Sequence, residues 1–148
     1  MEQQDKLHGF ALRYLSIRPR TIFEMMDYLT RKGFEAPEVE GEVTRLTKAG
    51  LLDDRQFAES WVASRQALRP RSRRRLEQEL MAKRVSAAVI AEVLEGLEEG
   101  KALEAVIRKR RRLPQYADDR KLIEYLQRQG FGYDQIKKAL GRLDDVGS

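Results

Sequence analysis

One pattern of apolar residues recurs three times along this chain of 148 residues, and that recurrence limits what it can fold into. Val39, Val43 and Leu46 are spaced by four and then three residues; Ile90, Leu94 and Leu97 repeat the spacing 51 residues later, and Ile136, Leu140 and Leu143 repeat it 46 further on. Such spacing lines up one face of a helix. The segments upstream share the register: Leu29, Leu80 and Leu126 are equivalent, as are Phe34, Val85 and Phe131. Met25, Met26, Tyr28, Leu29, Gly33 and Phe34 match Leu122, Ile123, Tyr125, Leu126, Gly130 and Phe131 at a constant offset of 97. Earlier still, Phe10, Ala11, Tyr14 and Leu15 match Phe57, Ala58, Trp61 and Val62, and then Ala102, Leu103, Val106 and Ile107. Three helices in one order, three times over, predict an all-α chain of tandem three-helix, helix-turn-helix-like repeats. A unit of 46–51 residues holds little core and gains by packing on its neighbour, so an elongated, curved array is expected.

The punctuation agrees. Helices are expected near 5–16, 20–32, 37–49, 54–68, 72–83, 86–98, 101–112, 117–129 and 133–143, giving repeats over 1–52, 53–99 and 100–148. Gly33, Gly50 and Gly130 fit left-handed residues just past helix ends. Thr21 with Glu24 fits a capping box, and Asp54, Ser72, Ser86 and Asp118 or Asp119 fit N-caps. Pro37 with Glu38 and Glu40 suits a first turn. Gly41 and Gly96 fall inside expected helices, where each costs about 1 kcal/mol relative to alanine unless helices cross closely there.

Charged residues make up 36% of the chain against a usual quarter or so, as expected for much surface around modest cores. The net charge of +5 is unevenly spread: −2 over residues 1–60, +6 over 61–120 and +1 over 121–148. A charge-reading partner is expected to meet the middle. With no cysteine, disulfides and thiolate metal sites are excluded. No apolar run reaches the roughly 18 residues of a membrane span, and the polar Met1–Lys6 start lacks signal-peptide order, so a soluble, cytoplasmic protein is expected. A monomer is the expected state, although these features do not determine it.

Two cationic runs stand out. Arg65, Arg69, Arg71, Arg73, Arg74 and Arg75 are six cations between residues 61 and 76 with no acid among them. Most open the fifth helix, where positive charge opposes the macrodipole, a local cost that an anionic partner offsets. Arg108, Lys109, Arg110, Arg111 and Arg112 end the seventh helix, the favourable end, and Lys83 and Arg84 end the fifth. The candidate contacts are therefore Arg65, Arg69, Arg71, Arg73, Arg74, Arg75, Lys83, Arg84, Arg108, Lys109, Arg111 and Arg112. No aromatic residue interleaves either run, which favours contacts to phosphate or acidic side chains over base stacking. Asp53–Asp54, Asp118–Asp119 and Asp144–Asp145 are better explained as helix caps than as Mg²⁺ ligands. His8, the only histidine, is expected on the surface of the first helix, without a nucleophile partner. Trp61, Tyr14 and Met25–Met26 lie on apolar stripes and read as core. No catalytic residue, metal or cofactor is expected.

The stretch Gly50-Leu51-Leu52-Asp53-Asp54-Arg55-Gln56-Phe57-Ala58 resembles the linker into the second repeat of the RecX family. Arg18-Pro19-Arg20-Thr21, Leu29-Thr30-Arg31-Lys32-Gly33-Phe34 and Arg74-Arg75-Leu76-Glu77-Gln78-Glu79-Leu80 extend the resemblance over residues 8–143. The chain departs from the family at Lys83-Arg84-Val85, where Lys-Gly-Ile or Lys-Gly-Val is common, and at Arg69-Pro70, where a glycine is common. The resemblance implies a non-enzymatic regulator that lies in the groove of the RecA–DNA filament and limits filament growth, strand exchange and ATP hydrolysis. It also implies weak binding of single- or double-stranded DNA without sequence preference. Two other classes remain: a sequence-independent DNA-binding protein, disfavoured by an acidic third helix (Glu38, Glu40, Glu42), and a helical adaptor for another protein, which predicts no salt-dependent filament binding.

Overall fold

A computed structural model of the chain describes residues 2–68 and 71–147, with the side chains of 67, 68, 146 and 147 aside. Among the described residues there are nine α-helices in three consecutive triplets: α1 (Glu2–Ile17), α2 (Ile22–Arg31) and α3 (Ala36–Lys48); α4 (Asp54–Leu68), α5 (Arg73–Ala82) and α6 (Ala87–Glu95); α7 (Glu99–Arg110), α8 (Asp119–Arg128) and α9 (Tyr133–Gly147). A 3₁₀ turn at Pro114–Tyr116, not anticipated from the periodicity, joins α7 to α8. The second helix of each triplet ends in one way. Phe34, Val85 and Phe131 donate their backbone N–H to the carbonyls of Leu29, Leu80 and Leu126, at 3.3, 3.2 and 3.2 Å. Gly33, Arg84 and Gly130 donate to Thr30, Met81 and Gln127 at 3.0, 2.9 and 2.9 Å. The residue between the two bonds is left-handed each time, with φ of 96° at Gly33, 63° at Arg84 and 99° at Gly130. This closure satisfies carbonyls that the helix end would orphan, and it turns the chain so that the following Phe34, Val85 or Phe131 is buried.

The chain packs as two compact units, Met1–Ser60 with Leu80–Ala91 and Trp61–Glu79 with Glu92–Ser148, so the middle triplet contributes to both. In the first unit Leu7, Ala11, Met25, Leu29, Phe34, Val39, Leu46 and Leu52 form one core. Tyr14 stacks on Tyr28 at 3.9 Å between centroids and carries the Arg20 guanidinium over its other side. In the second, Leu103, Val106, Ile107, Leu122, Leu126, Phe131, Ile136, Ala139 and Leu140 form the equivalent core. The offset of 97 thus maps buried residue onto buried residue, Met25 onto Leu122 and Val39 onto Ile136.

Several local expectations change. Met25 is buried, but Met26 next to it is 36% exposed, and Trp61 is half-buried. His8 is half-buried, its Nδ1 2.5 Å from the buried Glu42 carboxylate, because α1 and α3 share a unit. Gly96 follows α6 and does not interrupt it. Gly41 is inside α3 with nothing within 4 Å of where a Cβ would stand, so no close helix crossing explains it. The capping box of Thr21 and Glu24 forms as expected. The acidic pair divides its work: Asp53 accepts the Gln56 N–H of its own helix at 3.1 Å, whereas Asp54 accepts the Ile22 N–H at the start of α2 at 2.9 Å. Asp54 is therefore not the cap of α4; it ties the α4 start to the α2 start.

Burial pushes the Asp54 carboxyl above its ordinary value; the Ile22 N–H opposes this, and the charges of Asp53 and Glu24 add to it. Burial also pushes Glu24 up, but the Arg18 hydrogen bond, the Thr21 N–H and the charges of Lys83 and Arg18 outweigh it, and its pKa is lowered. The signs are opposite. Glu24 adds stability that is present at neutral pH and lost as pH falls through its depressed value, whereas the ionisation of Asp54 removes stability as pH rises through its elevated one.

Asp54→Asn, which keeps an acceptor for Ile22, should be as stable as the parent or more so at neutral pH. Asp54→Ala should lose about 1 kcal/mol in urea unfolding. Gly130→Ala should destabilise more than Gly33→Ala, although both positions have positive φ. A Cβ at Gly130 would stand 2.3 Å from Ser72 Oγ, whereas one at Gly33 meets nothing within 4 Å. Strain alone costs about 1 kcal/mol and the overlap about 1–3 more, which paired thermal melts resolve.

Candidate polyanion interface

The predicted cations fall into two kinds, those held by the protein's own acceptors and those left facing solvent. Around Glu79, in the second unit, the Trp61 indole N–H donates to one carboxylate oxygen at 3.1 Å and the Arg71 guanidinium donates to the other. Arg75 Nε is 3.8 Å and Arg65 Nε 4.0 Å from the same carboxylate, and Arg65 also lies 4.2 Å over the Trp61 ring. Arg71 is 13% exposed at its side chain. One acid thus organises three arginines and an indole, and Arg71 is first a structural residue. Arg73 is anchored as well: its N–H donates to Glu99 at 3.0 Å and its guanidinium to the Leu97 carbonyl at 3.1 Å. Arg111 bridges Asp119 at 3.2 Å and Asp144 at 2.9 Å. Burial alone would lower its pKa, and these two carboxylates raise it. The acid pairs at 118–119 and 144–145 accordingly serve the fold: Asp118 caps α8, while Asp119 and Asp144 hold Arg111. Arg69 lies outside the described residues.

Arg74, Arg108, Lys109 and Arg112 are exposed, and among the described residues none of them has a carboxylate partner. Arg84 is exposed beside the Phe23 ring, and Lys83 pairs with Glu24 at 3.4 Å. Arg74 is the best placed. With Arg75, Gln78, Gln127, Arg128, Gly130, Phe131, Gly132 and Tyr133 it lines a groove of about 400 Å³ that contains no acidic residue. The first turn of α5 is fixed against the α8–α9 turn by three features. The Ser72 N–H donates to the Gln129 carbonyl at 3.4 Å, the Arg75 guanidinium donates to the Arg128 carbonyl at 2.8 Å, and Gly130 lacks the Cβ that would strike Ser72. That contact sets Arg74 and Arg128 on the walls of one groove, with Tyr133, 53% exposed, at its edge. Arg128 and Tyr133 are remote from the arginine run and carry no direct sign of this role in the sequence; only the left-handed glycine at 130 points to a tight turn there.

Three family models match the chain: RecX, first three-helix domain, over residues 9–46; RecX, second three-helix domain, over 53–94; and RecX, third three-helix domain, over 98–140. The regulatory protein RecX of Mycobacterium ulcerans (strain Agy99) is 37% identical over 137 residues, covering 87% of this chain and 79% of that protein. That of Mycobacterium tuberculosis (strain ATCC 25618 / H37Rv) is 36% identical over 143 residues, covering 88% and 82%. The crystal structure of RecX from Lactobacillus salivarius superposes with a TM-score of 0.80 at 21% identity, covering 97% of both chains. A second crystal structure, of regulatory protein RecX, gives 0.71 at 23% identity over 92% of this chain and 72% of that one. At such identities the structural likeness speaks for the fold.

The division of the cations has a direct check. Glu79→Ala and Arg71→Ala should each lower stability by roughly 2 kcal/mol, and the double variant by clearly less than the sum, because each single change strands the other partner. Arg74→Ala should stay within about 0.5 kcal/mol of the parent in the same urea titrations.

Proposed function

This chain belongs to the RecX family, and from that premise we propose that it binds the RecA nucleoprotein filament and restrains it, with the Arg74–Arg128–Tyr133 groove facing the filament's phosphates. The groove carries the reading. It holds three arginines, two glutamines and an exposed phenol with no carboxylate among them. Such a surface suits a chain of phosphodiesters, which guanidinium groups bind in bidentate fashion without reading sequence. Tyr133 adds a ring on which an unpaired base can stack, a feature absent from the arginine run itself. The exposed Arg108, Lys109 and Arg112 extend the cationic surface and steer encounter at low salt. A regulator that bridges filament and protomer in this way slows RecA's ATP hydrolysis and strand exchange by holding the filament and by capping its growth. Its chemistry is binding, which agrees with the family's name as a regulatory protein. Among the described residues no helix is long and apolar enough to cross a membrane.

The test is the ATPase of RecA on single-stranded DNA. The parent should inhibit it, and Arg74→Ala/Arg128→Ala should require about tenfold more protein or beyond for the same inhibition while melting like the parent. The logarithmic salt dependence of binding should flatten by about one unit for each phosphate contact removed. Equal inhibition by parent and variant would remove the groove assignment; no inhibition by either would remove the function.

A further inference from the structure

Arg84 is the one described non-glycine residue with positive φ, and the internal repeats show what belongs there. Its counterparts, Gly33 and Gly130, close α2 and α8 with the same pair of hydrogen bonds that Arg84 makes at the end of α5. A glycine would adopt this conformation without steric conflict, so helix closure does not account for an arginine. A non-glycine residue in a left-handed conformation points to a use other than closing the helix.

Its surroundings indicate the use. The Arg84 guanidinium lies 5.4 Å from the Phe23 ring centroid, and both side chains are exposed, Phe23 by 44%. Met26, one turn beyond Phe23 on α2, and Met81, one turn before Arg84 on α5, are exposed too. All four belong to the first unit. The nearby acid is already committed, because Glu24 takes Lys83, Arg18 and the Thr21 N–H. Arg84 therefore presents its charge at the surface beside the Phe23 ring, and Met26 and Met81, each three residues along the chain from one of the two, are exposed as well. Phosphate contacts gain little from such apolar exposure. A protein surface that sets a carboxylate among aliphatic side chains matches it, and arginine, aromatics and methionine are the residues enriched in such contacts.

We propose that Arg84 and Phe23, flanked by Met26 and Met81, form a protein-docking element that engages a carboxylate within an apolar patch on the recombinase itself, and not its DNA. This rests on the reading that RecA is the partner. The experiment compares the full-length parent with Arg84→Gly and Phe23→Ala for binding to RecA filaments on single-stranded DNA and, separately, to the same DNA alone. Arg84→Gly should fold and melt a few degrees higher than the parent, since the strain is removed. Both variants should bind the filament about tenfold more weakly or worse and bind naked DNA as the parent does. Parent-like filament binding by Arg84→Gly, or an equal loss on naked DNA, would overturn the docking element and leave the RecA reading standing. Self-association of the parent that Arg84→Gly abolishes would instead assign the surface to a second copy and overturn the proposal. A parent that ignores the filament altogether would overturn the RecA reading and the docking element with it.

Discussion

The left-handed closure of the second helix in each triplet is the constraint from which the rest follows. Two backbone bonds and one residue of positive φ reverse the chain over a few positions, and the residue that comes next enters the core. After that turn, Phe34 and Phe131 join the same cores as Val39 and Ile136 of the third helices. The closure is local, so it needs no distant contact to form. It also explains how short helices, marginal alone in water, become stable: each is pinned at its end and buried along one face. The third use of the device does something more. At Gly130 the turn comes so near Ser72 that a side chain is excluded, and the start of α5 is thereby held beside the end of α8.

That approach determines what the arginines can do. A run of cations at a helix start repels itself and the dipole, and it would be a loose brush if nothing held it. Glu79 takes up the Arg71 charge, with Arg65 and Arg75 close by and the Trp61 indole N–H donating to its other oxygen. With those three gathered around Glu79, Arg74 stands beside Arg128 in a groove that no acid lines. The same sorting occurs at the second run, where Asp119 and Asp144 hold Arg111 while Arg108, Lys109 and Arg112 face solvent. Sequence charge thus overstates the available charge: some cations are internal ties, and the remainder form the surface.

Most of the fold was legible because its signals are local or periodic. The helices follow from apolar spacing, the left-handed turns from Gly33, Gly50 and Gly130, and the capping box from Thr21 and Glu24. The cores follow from the register, since equivalent residues are buried in both. What was not legible depends on pairs distant in sequence. Asp54 looks like a cap for its own helix until the Ile22 N–H is found beside it. His8 looks like a surface residue until α3 brings Glu42 to it. Arg71 looks like any other cation of the arginine run until Glu79 is found beside it. Met26 shares an apolar pair with Met25, yet a helix turns 100° per residue, and here Met25 faces the core while Met26 turns toward solvent. Tyr133 and Arg128 were invisible as site residues because nothing near them in sequence is basic enough to draw notice.

The repeats make one comparison possible that a single domain would not. Because three equivalent positions exist in one chain, each serves as a reference for the others, and a residue that breaks the pattern stands out. Gly33 and Gly130 state the backbone's preference, and Arg84, with φ of 63°, is the exception among the three. Glu24 sharpens the point. It receives Lys83 from the turn that holds Arg84, so the acid that could have neutralised the exception is occupied by its neighbour. The two backbone bonds that close α5 hold the chain in this left-handed turn, with the Arg84 charge beside the exposed Phe23 ring.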